Sequence, residues 1–323
     1  MVGMESAIAV EGLRKQYGPR VALAGIDLRV DAGEIVGLLG PNGAGKSTAL
    51  SILATLLPLD QGRVRVAGHV LPAEAAAARR RLGVVPQHTA LYPSLTGREN
   101  LRFFASMLGL AGRQTTAAVA DALALVGLVE RADEPVDRYS GGMRRRLHLA
   151  AGVLHAPPVL LLDEPTTGID PQSRERVHAV IESRKRDGAA VLLCTHDMHE
   201  AERLCDRIVL LDDGRTLAGG TAGELVAATG IASSLHLRLL RPPPADWLDG
   251  LPSVRVLAAD GAEAVLALDD PMAMPVVLAR AGRAGGDVLE MRFERPTLAD
   301  AFFALTGHAL RDGDEPVAAL GAA

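Results

Sequence analysis

Little lysine, little cysteine and no long apolar run set the first limits on this chain of 323 residues. No segment has the 18 or more uninterrupted apolar residues of a membrane-spanning helix, although 48% of the residues are hydrophobic, as suits a compact globular protein. The two cysteines, Cys194 and Cys205, have no metal-ligand spacing with the histidines. They read as small core residues in a reducing compartment. Residues 1–10 include Glu5 and lack a basic region followed by an apolar core, so no secretory signal is expected there. The net charge is −5 and the basic residues are scattered, which argues against a nucleic-acid partner. A cytoplasmic protein is expected. Of the 34 basic residues only Lys15, Lys46 and Lys185 are lysines. A chain that uses arginine elsewhere but places Lys46 after Gly45 points to a need for a compact ammonium at that place.

What is present reads as two domains. Short strands are expected over residues 7–13, 23–30 and 34–39, the last an apolar run meeting a glycine-rich turn. A helix is expected over 48–57, stopped by Pro58, and strands over 62–67 and 82–86. From Thr96 to Leu128 the pattern turns helical and alanine-rich, as an insertion between two halves of an α/β core. That core resumes with strands over 159–163, 190–195 and 208–212, apolar runs alternating with helices, which indicates a largely parallel sheet. After about Ile231 the expected order is strand 235–240, short helix 244–251, strands 254–258 and 264–268, helix 272–284, strand 288–293 and helix 298–305. This is the split-βαβ pattern, and Thr297 with Asp300 forms a capping box for the last helix. The expected division is 1–230, with a helical subdomain over about 88–158, then 231–309, then a loose tail over 310–323. There is no internal repeat.

Gly40-Pro41-Asn42-Gly43-Ala44-Gly45-Lys46-Ser47-Thr48 has the two glycines, lysine and hydroxyl of a phosphate-binding loop at the required spacing. The glycines let backbone N–H groups wrap a phosphate, Lys46 reaches β and γ oxygens, and Ser47 is a Mg²⁺ ligand. Asp163 and Glu164 follow an apolar strand. Asp163 is placed to hold Mg²⁺ through water, and Glu164, one residue on, to polarise an attacking water. Gln87 is read either as a group touching the metal or the water, or as a solvated loop residue. His196 reads as a γ-phosphate contact or as an ordinary surface or core histidine. Tyr17 reads as a stacking partner for an adenine ring or as a packed aromatic. Tyr139-Ser140-Gly141-Gly142-Met143 is either the anion-facing start of a helix or an ordinary loop with Ser140 as N-cap. Arg79-Arg80-Arg81 and Arg144-Arg145-Arg146 are most simply solvated basic faces.

Together these segments resemble the ATP-binding subunits of ABC transporters over roughly residues 6–225. In that resemblance Lys15-Gln16-Tyr17-Gly18 is the aromatic loop, with Tyr17 on adenine, and Gln87 is the Q-loop that senses the membrane partner. Residues 139–143 are the signature motif, and Ser140, Gly141 and Gly142 reach the ATP of a second subunit. Asp163 and Glu164 are the second Walker motif with its catalytic glutamate, Gly168-Ile169-Asp170 is the D-loop, and Thr195-His196-Asp197 carries the switch histidine. The common signature is Leu-Ser-Gly-Gly-Gln; Tyr139 and Met143 replace its ends, and Ser140 and Gly142 are intact. The run from Tyr139 to Arg146 and the closing segment from Pro296 to Gly307 look more closely like the daunorubicin/doxorubicin-resistance type of subunit.

The resemblance implies a phosphate-loop ABC ATPase core with an antiparallel β subdomain and a helical subdomain, plus a small α+β C-terminal domain. It implies ATP and Mg²⁺ as cofactors and a homodimer working with a separate ABC-2 type integral membrane permease at the inner face of the cell membrane. Export of a hydrophobic drug or antibiotic is the expected task, with lipid or glycan export as the alternative. A soluble ABC-type translation factor carries two ATP-binding domains in one chain, and this chain has one. A chromosome-maintenance ATPase inserts a long coiled coil, for which the stretch from Gly68 to Tyr139 is too short.

Overall fold

β1 (Ile8–Tyr17) buries Ile8, Val10, Leu13 and Lys15 and exposes much of the rest, the pattern of a strand with one wet face. The computed structural model describes residues 6–284 and 287–307; the tail expected over 310–323 lies outside the described residues. A tight turn leads from β1 into β2 (Arg20–Val30), which pairs with it antiparallel. β3 (Ile35–Leu39) is buried at every position and leads through the glycine-rich loop into α1 (Lys46–Leu53). That helix begins two residues earlier than its sequence pattern suggests and ends well before Pro58. Its end is set by Thr55, which takes a left-handed φ of 61°. β4 (Gln61–Val66) and β5 (His69–Leu71) complete an antiparallel sheet in the order β2-β1-β4-β5.

After α2 (Ala75–Arg79) and β6 (Leu82–Val85), the helical stretch forms two helices, α3 (Gly97–Met107) and α4 (Arg113–Leu125). Thr96 and Glu99 make a capping box at the start of α3. α5 (Gly141–Val153) packs on α3, α4 and α6 (Pro171–Arg186). β7 (Val159–Asp163), β8 (Ala190–Thr195), α7 (Met198–Leu204), β9 (Arg207–Asp212) and β10 (Arg215–Gly220) finish this part. Six strands form the central sheet in the order β10-β9-β3-β8-β7-β6, parallel except for β10.

Successive residues of the parallel strands feed two cores. Leu161, Leu192, Cys194 and Leu38 pack with α1 and the antiparallel sheet, whereas Leu160, Leu162, Val191 and Leu193 pack with α3 to α6. A strand covered on both faces has no wet side, so its sequence is a continuous apolar run. The same burial carries the ends of β3, β7 and β8 side by side, with Leu39 paired to Thr195 and Asp163 to Cys194.

The chain clusters into two compact units, Met1–Thr221 and Ala222–Ala323. The second unit therefore starts with α8 (Ala222–Ala228), ahead of the division at 230 suggested by composition. Its sheet, from β11 (Ser233–Leu239), β12 (Val254–Asp260), β13 (Glu263–Leu268) and β14 (Val288–Glu294), is antiparallel in the order β12-β13-β11-β14, with α9 (Met274–Arg283) crossing from β13 to β14. That is split-βαβ topology. One element differs: where a helix over 244–251 is expected, residues 245–250 form turns. Trp247, Leu248 and Leu251 still pack against the sheet's apolar face, where the helix was expected. α10 (Leu298–Thr306) carries the Thr297–Asp300 capping box and packs on α8. Among the described residues no helix is long and apolar enough to cross a membrane.

Candidate functional site

The loop after β3 ends at Gly45, whose φ of 107° is open to glycine and strained for other residues. A Cβ there would stand 2.6 Å from the Ala22 carbonyl oxygen. Gly45 precedes the first turn of α1, so the unpaired N–H groups of that turn face the loop's hollow, an arrangement that suits an anion. Lys46 is only 5% exposed, and its Nζ donates to the carbonyls of Gly40 at 2.6 Å and Pro41 at 2.9 Å. Burial lowers its pKa, while Cys194, Glu164 and Asp163 act in the opposite sense. A cavity of about 320 Å³ opens here, lined by Asn42, Gly43, Gly45, Lys46, Ser47 and Thr48 from the loop, with Tyr17, Arg20, Gln87 and Glu164 around it.

Asp163 closes β7. Burial raises its carboxyl pKa, opposed by a hydrogen bond from the Ser47 hydroxyl and by Lys46. Mg²⁺ keeps several waters and takes one or two protein oxygens together with substrate phosphates. An adjacent hydroxyl and carboxylate beside a phosphate loop fit that requirement, whereas among the described residues no cluster of three or more His, Cys, Asp and Glu could hold a metal alone.

Glu164 sits where the chain leaves the sheet, with a φ of 47°. Non-glycine residues take this conformation rarely, and it costs on the order of 1–3 kcal/mol unless the surroundings impose it. They do so here. Its N–H donates to the Cys194 carbonyl at 2.8 Å. Gln87 Nε2 donates to one carboxylate oxygen at 3.0 Å and Thr167 Oγ1 to the same oxygen at 3.2 Å. His196 Nδ1 lies 2.7 Å from the other oxygen. A carboxylate only accepts, so Nδ1 carries a proton. Two segments distant in sequence, at Gln87 and His196, thus converge with the nearby Thr167 on one carboxylate at the cavity wall.

Tyr17 is 44% exposed on that wall, with the Lys15 ammonium 5.6 Å from its ring centre. Ser140, Gly141, Gly142 and Asp170 do not line the cavity. They form a second cluster. Ser140 caps α5, its Oγ accepting from the Met143 N–H, and Asp170 caps α6, accepting from the Ser173 N–H at 2.8 Å. These hydrogen bonds from Ser173 lower the Asp170 pKa. Gly142 is pressed against the start of α6, since a Cβ there would lie 2.1 Å from Ser173 Oγ, whereas one on Gly141 would meet nothing within 4 Å. Tyr139 is buried and donates its hydroxyl to the Arg131 carbonyl at 2.6 Å, and Met143 packs against the helical core.

The arginine run is not a solvated face. Arg144 is exposed, but Arg146 is half-buried and donates to the Val126 carbonyl, and Arg145 is only 5% exposed. Its guanidinium donates to the carbonyls of Pro165, Pro86, Gln87, Asp163 and Glu164. Helical spacing carries the missed signal: Arg145 shares a face with Gly142 and Leu149, both buried. Arg79, Arg80 and Arg81 are exposed, as read. A buried group of Thr166, Glu200 and His178 also went unread, with Thr166 Oγ1 donating to Glu200 at 2.6 Å and His178 Nε2 3.2 Å from the same oxygen.

Comparison with known proteins gives a consistent picture. Residues 23–167 match the ABC transporter family. The chain is 38% identical over 310 residues to the linearmycin resistance ATP-binding protein of Bacillus subtilis, covering 94% of this chain and 100% of that protein. It is 39% identical to the daunorubicin/doxorubicin resistance ATP-binding protein of Streptomyces peucetius, over 95% of this chain and 94% of that one. It is 37% identical to the Nod factor export ATP-binding protein I of Ralstonia nicotianae, over 96% of this chain and 97% of that one. A dimeric bacterial ABC transporter cassette superposes with a TM-score of 0.61 at 28% identity, over 66% of this chain and 98% of that one.

Proposed function

The chain belongs to the ATP-binding subunits of ABC transporters, and from that premise we propose that two copies pair head to tail around two ATP molecules and drive an exporter. The chain is an ATPase. Each nucleotide lies between Lys46 of one copy and Ser140 of the other, with Tyr17 against adenine and the amides of residues 40–48 around the phosphates. Two observations support the pairing: Ser140, Gly141 and Asp170 stand apart from their own chain's phosphate cavity, and a similar cassette is a dimer.

The observation that carries the chemistry is the Glu164 carboxylate, held on both oxygens beside the phosphate loop. Glu164 takes a proton from water as the water oxygen bonds to the γ-phosphorus, and the bond from that phosphorus to the bridging oxygen breaks to release ADP. Gln87 and His196 hold the carboxylate and the water in place. Lys46 and the N–H groups of Ser140 and Gly142 of the opposite copy stabilise charge on the phosphoryl oxygens. Ser47, Asp163 (through water) and Gln87 would hold Mg²⁺, which neutralises charge on the β and γ oxygens when bound.

Closure around ATP then acts on an ABC-2 type permease docked near Gln87 at the inner face of the membrane. A hydrophobic drug or antibiotic is the favoured cargo, because two similar proteins serve resistance to linearmycin and to daunorubicin and doxorubicin. A glycan or lipid cargo is the second reading, favoured by the likeness to a Nod factor export protein. Transport into inverted vesicles holding this subunit and its permease, assayed against amphipathic drugs and against lipid-linked glycans, decides between them. Uptake of neither class would contradict the export assignment.

A further inference from the structure

Arg145 is a buried cation whose five N–H donors all meet backbone carbonyls. An apolar side chain of similar size could not stand in its place, because those five carbonyls would lose their donor. What the guanidinium does that an apolar side chain cannot is fix two separate backbone stretches to one rigid plane. One stretch is Pro86–Gln87, at the entry to the Q-loop. The other is Asp163–Pro165, the end of β7, where the left-handed turn at Glu164 lets three successive carbonyls reach the same cation. The hydrogen bond between the Gln87 and Glu164 side chains, 3.0 Å long, joins these same two stretches. Both of its ends are therefore held through Arg145.

Arg145 lies on α5, five residues after Ser140 and so ~7.5 Å along the helix axis. We propose that Arg145 is a positioning residue that transmits the placement of α5, set by the opposite copy's nucleotide at Ser140, to the carboxylate of Glu164 in its own cavity. The two ATP sites of a pair are then coupled through one side chain in each copy. A displacement of α5 breaks several hydrogen bonds together or carries Gln87 and Glu164 with it, because a planar fork cannot follow five carbonyls separately. This rests on the reading of Glu164 as the base and of Ser140 as the half-site for the second copy.

The test uses the full chain with Arg145→Met and Arg145→Lys, each made alone and with Glu164→Gln, assayed for single-turnover and steady-state ATPase and for thermal melting. Each Arg145 variant is expected to lower kcat by about 10–100-fold, the scale of a small misplacement of catalytic groups, with KM within about 3-fold. In the Glu164→Gln background the same variants should cost less than about 3-fold, because the group they position is already gone. An equal fold-loss in both backgrounds, or a wild-type kcat in a folded variant, overturns the role of Arg145 alone. Near-normal turnover in Glu164→Gln by itself overturns the reading of the base, and this proposal with it. Should Arg145→Met fail to fold, Arg145→Lys supplies the same comparison. If neither gives a folded chain, Arg145 serves folding and the proposal is overturned.

Discussion

His196 Nδ1 and Glu164 Oε1 stand 2.7 Å apart, although 32 residues and the whole of α6 and β8 separate them along the chain. The pairing of β7 with β8 makes this possible, for it sets Asp163 beside Cys194 and so brings the two strand ends out together. A histidine held by this carboxylate is placed to keep the proposed base, and the water before it, in one orientation. Glu164→Gln is expected to lower turnover by roughly 10²–10⁴-fold, the usual worth of a positioned base, with ATP binding retained. His196→Ala should cost about 10–100-fold. Steady-state ATPase with a fluorescent-nucleotide binding assay checks both, and near-wild-type turnover in Glu164→Gln contradicts the assignment.

The two signature glycines should separate stability from function. Gly142→Ala places a methyl 2.1 Å from Ser173 Oγ and 2.7 Å from Asp170 Oδ2, an overpacking expected to cost about 1–3 kcal/mol. Gly141→Ala meets nothing within 4 Å in its own chain. It should leave the melting temperature unchanged and still lower turnover, because the proposed pairing offers that open side to the second copy's nucleotide. Equal melting losses in the two variants would contradict this.

His148 gives the fold an acid sensitivity. Burial, with the charge of Arg145 added, pushes its pKa down to about 4 from an ordinary 6.5. Between those values the unfolded chain takes up a proton that the folded chain refuses, so stability falls as the pH falls through that window. The full loss near pH 4 is roughly 3 kcal/mol. Melting temperatures of wild type and His148→Gln from pH 7.5 to 4.5 should diverge below pH 6.5, the variant falling less steeply. Parallel curves would show that His148 titrates normally.

Much of the candidate site was legible because its groups lie in short local motifs. Asp163 and Glu164 follow an apolar run whose burial on both faces carries them to a strand end, and Lys46 follows a glycine-rich loop that opens a helix. Arg145 was not legible: in a run of three arginines, charge hides the fact that one of them points along the buried face of α5. The first crossover of the second unit also read differently. Trp247, Leu248 and Leu251 supply the apolar contacts of a helix, but turns supply the backbone. The start of that unit at Ala222 depends on α8 meeting α10, a pairing across distant sequence that composition does not record.

That start can be tested. A chain ending at Thr221 should melt cooperatively and bind ATP as the full chain does, since the unit to that point has its own two cores. A chain ending at Ala228 keeps α8 without α10 and leaves Leu225, 4% exposed in the full chain, uncovered; it should aggregate more readily by light scattering. The reverse order of solubility would contradict the division.

The most direct test of the head-to-tail pairing is sedimentation velocity of the Glu164→Gln chain with and without Mg-ATP. Bound ATP that is not hydrolysed should hold the closed pair. A monomer is expected without nucleotide, and with it a dimer retaining two ATP molecules, absent when Ser140→Arg is added. An unchanged sedimentation coefficient with saturating ATP, or a dimer indifferent to Ser140→Arg, would contradict the shared site.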